Sequence, residues 1–345
     1  MKKFLSIALA LLMVCVMLPV VALAAEKTAS TYEELKSAIS TANDGDTIKL
    51  LADIDLSQTI TVNKTITLNM NGKKLYNTSD LWDKPTAEAD NWSLISVRGS
   101  GNLTITGNGT FAAKENDCYA VDVQESATVT IKNGTFIGNI HAVYVFAGTA
   151  NVEGGTYSVQ QKYPDSAKGD EFVLNCYDAN RANGTAHINV TGGTFKNFNP
   201  ADNKAEGEGN NFADNSLVVQ KNNTVQNNDY YVGNAANEVI AAASKGEEII
   251  VLNGTTLTNV PAGVIIQNRT SNAITVNGEA VDQTGDNGYV VPASYIVIVP
   301  GDTTPETPKT DDQKNPSTGA NDFVGLAAAA AVVALLGSAV VLRKK

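Results

Sequence analysis

The sequence predicts an all-β chain wound as a right-handed parallel β-helix, with a short N-terminal capping helix and a small C-terminal α/β unit. Three observations carry that expectation. A signature recurs: LTITGNGTF at 103–111, VTIKNGTF at 129–136, ANVEGGTY at 150–157 and INVTGGTF at 188–195. Apolar and polar residues alternate in each, the period of a strand with one buried face. The closing aromatics Phe111, Phe136, Tyr157 and Phe195 lie 25, 21 and 38 residues apart. The first two intervals suit one coil of a β-helix and the third a coil with an insertion, whereas antiparallel hairpins would recur every ~8–12 residues. Finally, Asn-Gly and Gly-Gly steps supply the positive φ needed where a strand turns a corner. One such repeat cannot bury its own apolar face, so the repeats must stack.

The elements follow in order. Lys2 and Lys3, the apolar run Phe4 to Val21 and the small-residue site Ala22-Leu23-Ala24 predict a secretory signal peptide over 1–24. Pro19 and the cleavage site argue against an uncleaved anchor. Residues 25–46 are expected to hold the capping helix. Thr31 serves as N-cap with Glu34 reaching back, Leu35, Ala38, Ile39 and Ala42 share one face, and Gly45 ends the helix before a strand at Thr47–Leu51. Such a cap stops the open edge from pairing with other chains.

The β-helix is expected over 47–232. ITVNKTITLNMNGKKL (60–75) shares the alternation. CYAVDV (118–123), IHAVYV (140–145) and FVLNCY (172–177) fall in one strand position. Val121, Val143 and Leu174 then point inward with Val123, Val145 and Cys176, while Asp122, Tyr144 and Asn175 line up outside. Cys118 takes outward parity and Cys176 inward, so no disulfide is expected between them. Lys132 and Glu153 stack as an exposed pair worth under about 1 kcal/mol. NEVIAAASKGEEIIVLNGTTL (237–257) parallels YEELKSAISTANDGDTIKLLADIDL (32–56), which makes 233–299 a small α/β cap or domain. Residues 300–314, rich in Pro, Thr and charge, read as an extended linker reaching at most about 50 Å.

The chain ends NPSTGANDFVGLAAAAAVVALLGSAVVLRKK, 315–345. Phe323 to Leu342 would span about 30 Å as a helix, a bilayer core, and Arg343-Lys344-Lys345 favours the cytoplasmic side. A short motif, an apolar span and a basic end resemble the cell-wall sorting signals of Gram-positive surface proteins. Asn315, Pro316, Ser317, Thr318 and Gly319 occupy the motif, with Asn315 where the common form has Leu. The resemblance implies that a sortase cuts between Thr318 and Gly319 and joins Thr318 to peptidoglycan. The span is then a transient membrane hold. A permanent membrane anchor is the alternative.

DGDTIKLLADIDL, ITLNMNGKKL and GGTFKNFNPADN resemble the pectin-lyase-like β-helix proteins of bacterial surfaces, over about residues 30–230. That resemblance implies the fold and scarcely any activity. Enzymes of this fold act on polysaccharides, and acidic-sugar lyases among them need Ca²⁺-binding carboxylates beside a basic residue. Asp44 and Asp46 fit a helix-to-strand turn, and Asp53 and Asp55 a strand end, better than a metal site. Arg98, Arg181 and Arg269 fall in no carboxylate cluster, and His141 and His187 lie in different strand positions. No catalytic residue, metal site or cofactor is assigned.

The full chain carries 25 basic and 36 acidic side chains. Residues 26–318 lose five of the basic and one of the acidic ones, which leaves a net charge of −15. Phosphate contacts need clustered Lys and Arg, so nucleic acid is excluded as a partner class. Trp82 and Trp92 in the insertion at 76–94, and Tyr163 in that at 158–171, are the candidate glycan-binding residues, since exposed rings stack on apolar sugar faces. The expected role is adhesion or binding of host or environmental glycans at the cell wall. A β-helix carbohydrate-active enzyme or a wall-layer component is the alternative.

Overall fold

The computed structural model describes residues 24–82, 93–161, 171–202, 210–221 and 228–293. The expected linker, the sorting signal and all but the last residue of the signal peptide lie outside this set. Among the described residues no helix is long and apolar enough to cross a membrane.

The chain is mostly β with parallel sheets, a β-helix-like arrangement. It visits three sheets in a repeating order. Thr47–Leu50 lies in the first sheet, Ile54–Asp55 in the second and Ile60–Val62 in the third. The chain then returns to the first sheet at Thr65–Asn69, parallel to and paired with Thr47–Leu50. The cycle repeats through Asn102–Thr106, Thr128–Ile131, Gly148–Val152 and Ala186–Val190 in the first sheet.

Alternation along each strand sets which side chains meet. In the first sheet Ile48, Leu68, Ile105, Ile131, Val152 and Val190 are successive partners and form a buried ladder. Burying each contributes about 1.5–3 kcal/mol. The alternate column is Thr67, Thr104, Thr130, Asn151 and Asn189, and it faces outward. Asn189 Nδ2 donates to Asn151 Oδ1 across one rung at 3.0 Å. Lys132 and Glu153 pair on this exposed side at 3.7 Å, as the spacing predicts.

In the second sheet Phe111, Phe136, Tyr157 and Phe195 stack inside the coil with ring centroids 4.8, 5.1 and 5.0 Å apart. Each stacked pair adds about 0.5–1.5 kcal/mol beyond its buried area. The Tyr157 hydroxyl donates to the Gly154 carbonyl at 2.6 Å, which makes a polar tip tolerable there. The turn before Phe136, Tyr157 and Phe195 needs glycine: Gly134, Gly155 and Gly193 have φ of +116°, +99° and +116°.

The ends differ in part from expectation. The helix is Tyr32–Ser40, with Leu35, Ala38 and Ile39 buried. Thr31 Oγ1 accepts from Glu34 N at 3.2 Å. Glu34 Oε2 reaches one residue further back than a standard capping box and accepts from Ser30 N at 2.7 Å. Glu26–Ala29, expected within the cap segment, is a strand pairing in parallel with Thr47–Leu50. Its four residues are too few to reveal a period in the sequence.

At the other end, parallel coiling stops at Gly193–Lys196, short of the expected 232. Asp229–Val232 pairs antiparallel to that strand, and Val218–Lys221 antiparallel to Asp229–Val232. Phe198 and Phe212 continue the aromatic contacts past Phe195, at 6.1 and 6.4 Å, and both are buried. A helix, Asn234–Ala241, follows. Glu248–Asn253 then pairs antiparallel with Val218–Lys221 and parallel with Ile265–Asn268, so the second sheet runs on without a break. This stretch has its own apolar cluster, including Ile240, Val251, Ile266 and Val276. The duplication read from sequence extends to turn chemistry: Asp46 accepts from Asn43 N and Glu247 from Ser244 N.

Candidate functional site

The third sheet contains Ile60–Val62, Ser93–Val97, Tyr119–Val123, Val143–Val145 and Leu174–Cys176. Its register is the one the sequence predicts. Val121, Val143 and Leu174 are partners, as are Val123, Val145 and Cys176, and Asp122, Tyr144 and Asn175 align on the outer side. That outer side is not uniformly solvated. Every residue of Ser93–Val97 and Tyr119–Val123 is buried, Asp122 included, so the outward row is enclosed on these two coils.

Enclosed polar groups need partners. Ser96 Oγ donates to Asp122 Oδ2 at 2.9 Å, Gln124 Nε2 donates to both Asp122 oxygens at 2.8 and 3.0 Å, and Arg98 Nε donates to Ser96 Oγ at 2.9 Å. Later coils enclose the row only in part, although Asn175 Oδ1 is itself buried. Tyr144 and Asn175 are only partly buried.

Aromatic rings border this row on both sides. On one side Trp82, 37% exposed, meets Tyr119 edge-on at 5.7 Å. Tyr119 touches Tyr144 at 5.2 Å and His141 at 4.7 Å, and His141 stacks on Tyr144 at 5.2 Å. On the other side Phe146 and Tyr177, 39% and 44% exposed, stack at 4.9 Å on adjacent coils. Sequence reasoning missed these two. Their signal was present: each directly follows an inward residue of the aligned strands, Val145 and Cys176.

Trp82 is held by a buried carboxylate. Asp117 accepts from Leu81 N, Trp82 N at 3.0 Å, and Asn77 Nδ2 at 2.6 Å. Asn77 Oδ1 in turn accepts from Lys114 N at 2.8 Å. The chain ahead of Trp82 is thereby fixed to the next coil.

His141 is packed, with a set tautomer. A carbonyl only accepts, so Nδ1 carries the proton and donates to Phe172 O at 2.7 Å. Nε2 then accepts from Asn175 Nδ2 at 3.3 Å. Burial lowers its pKa to about 4, against the hydrogen bond to Phe172, and both nitrogens are occupied. His187 is exposed, with Nε2 2.8 Å from Gly184 O.

The carboxylates weighed as metal ligands do structural work. Asp44 accepts from Thr65 N, Asp53 from Lys74 N, and Asp55 from Thr78 N and Oγ1, each a bridge to the next coil. Asp46 accepts from Ala25 N and Asn43 N, which hold its pKa below the usual value. Among the described residues no three His, Cys, Asp or Glu side chains gather as a metal would need.

Cys118 and Cys176 form no disulfide with each other, and both are buried. The outward parity of Cys118 does not expose it. Its thiol lies 4.0 Å from Asn77 Oδ1, and burial, then the nearby Asp117, raises its pKa far above the usual thiol value. Arg181 and Arg269 each meet one exposed carboxylate, Asp178 at 3.6 Å and Asp286 at 3.2 Å. Of the candidate residues, Trp82 is placed. Trp92, Tyr163 and Asn315 to Gly319 lie outside the described residues. Comparison with known protein families, with curated proteins and with solved structures finds no match for this chain.

Proposed function

We propose that this is a secreted surface protein, joined to the cell wall through Asn315–Gly319, whose right-handed, pectin-lyase-like parallel β-helix binds glycans. The third sheet is the proposed binding face. One observation carries the reading: Phe146 and Tyr177 form a stacked, solvent-exposed pair beside a polar row bordered on its other side by Trp82. Leaving about two fifths of each ring open forgoes roughly 0.6–1.3 kcal/mol of burial apiece, a cost that a binding partner would offset. Sugar rings offer apolar C–H faces that such exposed aromatic rings can stack on.

Wall attachment rests on the three-part tail, and its partners are sortase and peptidoglycan. The enzyme reading is weaker, because both Asp122 oxygens and both His141 nitrogens are engaged by neighbours. A general acid or base needs an open proton position within reach of substrate.

A glycan array probed with the full chain tests the proposal. Binding to at least one glycan is expected, weakened tenfold or more by Phe146→Ala with Tyr177→Ala and by Trp82→Ala. Binding to no glycan would leave the wall-layer reading in its place.

A further inference from the structure

Only Ala25 separates the cleavage site read after Ala24 from the strand Glu26–Ala29 at the N-terminal edge. Ala25 N donates to Asp46 Oδ1 at 2.8 Å, and the Ala25 carbonyl accepts from Thr47 N at 2.9 Å. Asp46 is 2% exposed, and its second oxygen accepts from Asn43 N at 3.0 Å. A buried carboxylate ordinarily has a cation beside it. Yet among the described residues no Lys or Arg side chain donates to Asp46. Lys64 gives its ammonium to the carbonyls of Ser40 and Ala42 at 2.6 and 2.7 Å, and Lys27 acts only through space.

The second copy of this turn shows what the position takes. Gly45 N and Gly246 N each donate to the next coil, at Thr65 O and Gly263 O. Asp46 N and Glu247 N each donate back, to Asn43 O and Ser244 O. Glu247 therefore stands where Asp46 does. It accepts from Ser244 N at 2.6 Å, and its partner from the adjoining strand is the Lys221 ammonium at 3.1 Å. In the first copy the adjoining strand brings Ala25 N instead.

Hydrolysis of the Ala24–Ala25 bond gives this nitrogen the matching charge. The hydroxyl of water goes to the Ala24 carbonyl carbon and the remaining proton to Ala25 N. The new carboxylic acid then releases a proton and the amine takes one up, since chain-terminal amines have an ordinary pKa of about 7.7–8.0. A charged donor bonds a carboxylate about twice as strongly as a neutral one.

We propose, on the reading of residues 1–24 as a cleaved signal peptide, that Asp46 is the binding site for the α-ammonium of the processed chain, so that the cut itself completes the closure of the N-terminal edge. In the precursor the same atom is a neutral amide and the ion pair does not exist. Of the other charges on these elements, Glu26 pairs with Lys49 at 4.0 Å, and Asp44 accepts from Thr65 N.

The intact mass of the secreted chain identifies its first residue. A start other than Ala25 overturns the cleavage reading and this proposal with it. In a chain starting at Ala25, acylation of the α-amine at pH 7.5 is expected to run at least fivefold slower than in Asp46→Asn, because Asp46 holds the proton on it. Asp44→Asn removes an equal charge from the same turn and is expected to stay within twofold of the unsubstituted chain. One glycine added ahead of Ala25 turns its nitrogen back into an amide and leaves every other residue in place. The urea midpoint of the Ala25-start chain is expected to exceed that of the extended chain at pH 7. The gap should close toward pH 10, because the stability from a raised amine pKa is complete below the ordinary value and lost as pH rises through the folded-state one. With the start at Ala25 verified, equal acylation rates in the unsubstituted chain and Asp46→Asn, an Asp44→Asn rate as fast as that of Asp46→Asn, or no gap that closes with pH would each overturn the proposal and leave the cleavage reading standing.

Discussion

His141 holds its proton on Nδ1 for Phe172 and its lone pair on Nε2 for Asn175, and burial opposes the charged form. Its pKa of about 4 in the folded chain lies below the ordinary 6.5. The unfolded chain therefore binds more protons between these values, and stability rises with pH across that window. The contribution is complete above pH 6.5 and lost as pH falls toward about 4. A shift of this size corresponds to roughly 3 kcal/mol. Urea denaturation of the full chain between pH 7 and pH 4 should show that loss, and His141→Gln should flatten the slope. An unchanged slope would refute the assignment. Single-residue facts of this sort were half legible. Alternation fixed that Asp122 points away from the coil axis, but not that it is buried. Burial there depends on what covers two coils, which no period encodes.

Within a coil, the demanding position is the glycine before each Thr-aromatic pair. At Gly155 φ is +99°, and an added Cβ would stand 2.9 Å from the Gly134 carbonyl of the previous coil. Gly155→Ala is expected to cost about 1–3 kcal/mol, from backbone strain and crowding. Thermal melting beside Gly184→Ala checks this, because Gly184 also has positive φ but nothing within 4 Å of the added atom. A smaller loss at Gly184 isolates the crowding, and equal losses would deny it. The register of these elements was readable because the aromatics mark each coil at the same point. The antiparallel return at Asp229–Val232 was not, since residues 196–217 break the alternation.

Across the whole molecule, two ends do different work. The N-terminal side is closed by a helix and a strand, while the C-terminal side continues its sheet into a second unit with a similar turn. The sequence revealed that similarity through matching helix, Gly and strand. It could not reveal a groove of about 500 Å³ at residues 214–217, 252–256 and 269–272, whose walls come from turns more than fifty residues apart at their extremes. The proposed wall attachment is tested by mass spectrometry of wall fragments, which should find a C-terminus at Thr318 joined to peptide. A mature chain ending at Lys345 would refute sorting and favour a permanent anchor.

Thr128 partners both Asn102 below and Thr149 above. The molecule therefore has a natural quantum of length. Lengthening or shortening by one such unit returns each column to its place, while a slip of a single residue turns a strand inside out. A chain built this way has its length set in whole steps, with both terminal closures left as they were.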